Sequence, residues 1–165
     1  MDNPISKKFH EQWKFMTGWV SGNIEHLADD DLKVSFATGK NHGVWILGHL
    51  IESEDELSKF LGKAPLLYPV YEEMFGQGSK LEPVDFYPSI ETLRSQWKEV
   101  VAKNDKVLSE MTDAEWDEPH ALSAERGEKD FFKTKGRCIM IWNLHQEYHN
   151  GQLSILAALA GKSRF

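Results

Sequence analysis

The chain has 165 residues, 41% of them hydrophobic and six of them tryptophan, which is the size and content of one domain with one core rather than of a disordered segment. Its net charge of −7 repels phosphate backbones and disfavours a nucleic-acid binder. A single cysteine, Cys138, leaves no disulfide framework and no cysteine-rich zinc or iron–sulfur site. No apolar run approaches the ~18 residues of a membrane span, and the first eight residues lack the apolar core of a secretion signal. The expectation is one domain over residues 1–165, cytoplasmic, with no membrane partner.

The first helical pattern runs from Pro4 to Leu27, where Phe9, Trp13, Met16, Val20, Ile24 and Leu27 recur at three- and four-residue steps. The second runs from Asn41, read as its N-cap, to Gly62, with Trp45, Ile46, Leu50, Leu57, Phe60 and Leu61 as its apolar content. Residues 63–87 break the pattern with Pro65, Pro69, Gly76, Gly78 and Pro83, yet carry six aromatic or methionine side chains between Tyr68 and Tyr87. A connection of that length reads as a cover over a site or as a carrier of short helices. The third helix opens at Pro88 and runs to Met111, and Thr112 to Glu115 reads as a capping box. Residues 119–136 form a second long connection, with extended backbone placed around Phe131 and Phe132. The fourth helix spans Gly136 to Gly161. Four long amphipathic helices without strand alternation give an all-α fold, a four-helix bundle with long connections between helices two and three and between three and four.

His145 and His149 stand four residues apart on the last helix, so both rings reach one point, the spacing at which imidazoles chelate a divalent ion. Seven histidines in this length give about 0.3 such pairs by chance, so the pair alone does not make a site. His49 sits in the apolar run Val44–Leu50, where a lone histidine is ordinarily a hydrogen-bonded core residue, but a bundle brings helices two and four together. His42 reads as surface, and His10 and His120 as bystanders to any metal. Glu52, Glu54, Asp55 and Glu56 read as a solvated acidic face, with Glu52 placed three residues from His49 to orient its ring; Gln152 is the corresponding candidate for the second pair. Cys138, at the start of a helix and flanked by apolar residues, reads as core filler.

Asn41-x-x-x-Trp45-x-x-x-His49-Leu50, Phe75-Gly76-Gln77-Gly78-Ser79, Tyr87-Pro88-Ser89 ahead of Trp97, and His145-x-x-x-His149-x-Gly151-Gln152 together resemble the DinB-like (DinB/YfiT) superfamily of metal-binding four-helix bundle proteins. The resemblance covers nearly the whole chain. It implies a divalent ion (zinc, nickel or iron) held by His49, His145 and His149. It also implies, for some members, a transferase that places a low-molecular-weight thiol such as bacillithiol or mycothiol on a small electrophile, and it implies a homodimer. The family name records induction by DNA damage, a stress-response property. No residue matched here selects a thiol or a substrate. A non-catalytic metal or small-ligand binder, a metal-dependent hydrolase, and a metal-free interaction module therefore stay open beside the transferase.

Overall fold

A computed structural model describes residues 4–127 and 129–162, and all regular structure in them is helical. The elements in chain order are α1 (Ile5–His26), α2 (Asp29–Leu32), α3 (Gly43–Phe60), α4 (Tyr71–Phe75), a 3-10 turn (Val84–Phe86), α5 (Ile90–Ser109), α6 (Asp113–Trp116), α7 (Ser123–Arg126) and α8 (Lys135–Leu159). The four long helices close a ring in which α1 packs on α5 and α8, and α3 packs on the same two.

Side-chain caps fix most of the long helices at their starts. Ser89 Oγ accepts from the Thr92 amide at 3.1 Å and Thr134 Oγ1 from the Arg137 amide at 3.2 Å. The predicted Asn41 cap is displaced by one residue. His42 Nδ1 takes the Trp45 amide at 3.1 Å, and Nε2–H donates to the Glu82 carbonyl at 3.1 Å. His42 is thus buried rather than surface, because the 63–87 connection returns over the start of α3. At the far end of α1, the Arg94 guanidinium donates to the carbonyls of Ile24 and Leu27, which have no partner within the helix.

The apolar core has two lobes. One gathers Val20, Ile24, Leu27, Val44, Leu50, Phe75, Trp97 and Leu156; the other gathers Trp13, Leu57, Phe60, Trp116, Ile139 and Trp142. Cys138 belongs to the second lobe, and burial pushes its thiol up to about 12, which keeps it protonated and inert.

The acidic run is the main departure from the sequence reading. Glu54 and Asp55 are fully buried, Glu52 nearly so, and only Glu56 is half-exposed. Glu54 lies where the four long helices meet. It accepts from Trp13 Nε1 of α1 at 3.1 Å, from Asn104 Nδ2 of α5 at 2.9 Å and from Gln146 Nε2 of α8. Burial pushes its carboxyl above the usual range, and the three N–H donors oppose that rise. Asp55 receives the amides of Leu67 (2.8 Å) and Tyr68 (2.8 Å) and the Lys103 ammonium. The helical period marks a face that a chain alone would leave wet; the connection folds across it and makes it interior.

Among the described residues of 117–134 there is one antiparallel bridge, Pro119 with Thr134, instead of a run of extended chain. His120 is buried there, bonded through Nε2 to Asp130, with its ring tilted against Phe60 at 5.0 Å. It is a pin for this connection and no bystander in the fold, although it lies outside the cluster described next.

Candidate metal centre

His49 comes from the middle of α3, and His145 and His149 from successive turns of α8, the two helices being in direct contact. Their Nε2 atoms converge. His49 Nε2 is 3.0 Å from His145 Nε2, which is 3.1 Å from His149 Nε2, and the three ligating atoms all lie within 4.8 Å of one another.

Two of the three rings have their tautomer set from behind. His49 Nδ1–H donates to the Phe75 carbonyl at 2.7 Å, and His149 Nδ1 bonds the Gln152 amide oxygen at 2.7 Å. A neutral ring that donates from Nδ1 has a bare lone pair on Nε2. Two lone pairs therefore face a third nitrogen, and one N–H on His145 cannot serve both at good geometry. A cation satisfies all three. Ligands at ~2.0–2.1 Å from one ion, at angles of about 90–110°, stand roughly 2.9–3.4 Å apart, and the two short separations fall in that interval. The donor set fits a divalent ion with positions left open.

The surroundings hold the two α8 rings neutral. Burial, with repulsion from His149 and His49, lowers His145 to about 3; burial, with repulsion from His49, lowers His149 to about 4. Metal ligation requires this protonation state.

Gln152 fills the role read for it. Glu52 does so only in part: its carboxylate is 3.4 Å from His49 Nδ1, while the Phe75 carbonyl is nearer and takes the proton. That carbonyl was not legible, because a main-chain acceptor leaves no signature in residue type. Its trace was Gly48. A β-carbon there would lie 2.1 Å from the Phe75 ring, so the ring rests against bare backbone and its carbonyl comes within reach of His49. Trp45 stacks on the His49 ring at 4.8 Å and donates its Nε1–H to Ser79 Oγ at 3.2 Å, which ties the same connection to the site. Gly48→Ala is expected to displace Phe75 and free the His49 ring. The measurement is metal affinity by competition with a chromophoric chelator, which should fall about 10- to 100-fold; unchanged affinity would show that the carbonyl is dispensable.

A cavity of about 160 Å³ opens beside His49 and His145. Residues 63–87 contribute only Gln77 to its wall, so their aromatics do not line it as a cover would. Tyr71, Phe75 and Tyr87 are core. The aromatic wall is Phe132 and Trp142, from the other connection and α8. A larger groove of about 460 Å³ lies between α1 and α5, away from the helices that carry the histidines.

An all-helical chain with three converging imidazoles from two facing helices defines a class of candidate metal-binding helical proteins. The DinB superfamily profile matches residues 19–153, and the chain belongs to that superfamily. Among solved structures it is similar to a DinB-like protein from Bacillus cereus ATCC 10987, with a TM-score of 0.67 and 19% identity over 98% of this chain and 95% of that one. It is also similar to a conserved protein from Enterococcus faecalis, with a TM-score of 0.66 and 14% identity over 98% of this chain and 100% of that one. No curated protein matches. No described helix is long and apolar enough to cross a membrane.

Proposed function

We propose that this protein is a divalent-metal protein on a four-helix-bundle scaffold, with His49, His145 and His149 as ligands, and that it transfers a low-molecular-weight thiol to a small electrophile. The observation that carries the reading is the convergence of three Nε2 atoms, two of them on rings whose Nδ1 is already committed. A bound divalent ion supplies Lewis acidity that makes a thiol ionise near neutral pH. The protein's own part is to position and to exclude. Phe75 and Gln152 fix the orientation of His49 and His149, Trp45 covers the face of the His49 ring, and Phe132 and Trp142 form a wall against water. Cys138 takes no part, since its sulfur is buried and held as the thiol, so the attacking sulfur belongs to the co-substrate. In the overall reaction a carbon–sulfur bond forms as the electrophile's leaving group departs, and the thiol proton is released to solvent.

The experiment is elemental analysis of protein prepared without a histidine tag, followed by turnover of bacillithiol or mycothiol with a chloronitrobenzene. Near-stoichiometric metal is expected, with a rate that depends on it and vanishes after chelation. Stoichiometric metal without turnover would leave a metal or small-ligand binder, and no retained metal would remove the reading altogether.

A further inference from the structure

The cavity beside the histidines has a charge pattern that a neutral ligand does not need. Its wall carries two carboxylates, Glu52 and Glu56, one turn apart on α3, and no lysine or arginine. Glu52 is 7% exposed, and its carboxylate has no hydrogen-bond donor among the described residues. His49 Nδ1 lies 3.4 Å from it, and the hydrogen on that nitrogen is already given to Phe75. A buried carboxylate without a donor is costly unless something brings one. The rings of Phe132 and Trp142 share the wall; the Arg126 guanidinium already lies 5.2 Å over Phe132, and Trp142 offers a further face to a cation. Burial and the charges of Glu52 and Glu72 push Glu56 up to about 7 against the opposing pull of Lys59 and Arg126, and a cation between Glu52 and Glu56 would relieve what remains.

We infer that this cavity is a subsite for the protonated amine of a small ligand, held between Glu52 and Glu56 against Phe132 and Trp142, with the rest of the ligand directed at the three histidines. For the reaction proposed above this makes the preferred thiol an aminothiol; that part rests on the metal–thiol reading, whereas the ammonium subsite does not. The volume holds about five water-sized groups, which limits the captured end to a short aminoalkyl unit.

The test has two arms. Metal-free protein at pH 8 is titrated with propylammonium chloride, 1-propanol or sodium propionate at constant ionic strength, with NMR of the Trp142 indole N–H and the Ile141 amide as readout. Propylammonium is expected to shift both signals saturably and at least tenfold more tightly than the other two. Glu56→Gln, at the half-exposed rim, should cost at least fivefold with an unchanged circular dichroism spectrum, and Glu52→Gln should do the same. Three probes acting alike, or Glu56→Gln titrating as wild type, overturn the subsite. In the second arm, cobalt-loaded protein is titrated with cysteamine or 2-mercaptoethanol and read by the sulfur-to-cobalt absorption band. About a tenfold preference for cysteamine, lost in Glu56→Gln, is expected. No band with either thiol, while propylammonium still binds, would sink the thiol reading and leave the subsite standing. Bands with both thiols and no preference would overturn the aminothiol preference and leave the metal reading intact.

Discussion

Replacing His49, His145 or His149 by alanine is expected to weaken metal binding by more than about 100-fold in each case, whereas His10→Ala leaves it unchanged. His10 bonds Asp105, far in sequence from either ligand helix, and takes no part in the cluster. The linked stability follows with a definite sign. His145 and His149 are lowered to about 4 or below in the folded chain, against about 6.5 when unfolded. Between those values the unfolded chain binds more protons, so the stabilisation is fully present above pH 6.5 and is lost as pH falls toward 4. Metal deepens the same dependence, because protons compete for the same lone pairs. At a free metal concentration of ~100 times its dissociation constant the ion adds about 2.7 kcal/mol. A chelator should then lower the melting temperature by roughly 5–10 °C at pH 7.5 and by little at pH 5. Equal chelator effects at the two pH values, or equal metal content in wild type and a His49→Ala, His145→Ala double variant, would place the ion elsewhere.

The second large effect is expected at Glu54, which no metal argument involves. Glu54→Ala leaves Trp13 Nε1, Asn104 Nδ2 and Gln146 Nε2 without their shared acceptor in a fully buried position. Stranding such a network costs about 3–5 kcal/mol, on top of the volume removed. For a chain of this length that is a fall of about 10–15 °C in melting temperature. Thermal denaturation followed at 222 nm measures it. A loss under 1 kcal/mol would mean that water replaces the carboxylate without difficulty and that the four helices do not depend on this junction.

The two positions show what a linear sequence discloses and what it hides. The helices were legible because Trp13, Val20, Ile24, Leu93, Trp97 and Val100 repeat at the helical period, and that period follows burial. The His145–His149 pair was legible from its four-residue spacing, and His49 joined it only through the family resemblance, since nothing in its own apolar neighbourhood marks it. The acidic run was misread because period alone knows one helix at a time. The face of α3 with Glu54 and Asp55 is interior through Asn104, Lys103 and the backbone of Leu67 and Tyr68, all distant in sequence. The Phe75 carbonyl is hidden for a different reason, since every residue has one and only position selects it. His42 combines both causes: its capping role is local, and its burial comes from Glu82, forty residues on.

Asp55 also decides how the molecule breathes. A carboxylate that gathers two successive amides and an ammonium makes residues 67 and 68, irregular in conformation, as firmly held as a helix interior. Exposing either amide to solvent requires uncovering a buried charge, which raises the cost of local opening there above that of an unanchored loop. The segment that orients His49 through Phe75 therefore moves with the body of the protein. The opposite wall is held by other means: the connection that carries Phe132 closes on itself through the Pro119–Thr134 bridge and the His120–Asp130 pair, and it meets the body through the Ala121 amide on the Phe60 carbonyl at 2.8 Å and the Phe132 ring against Phe60 and Trp142.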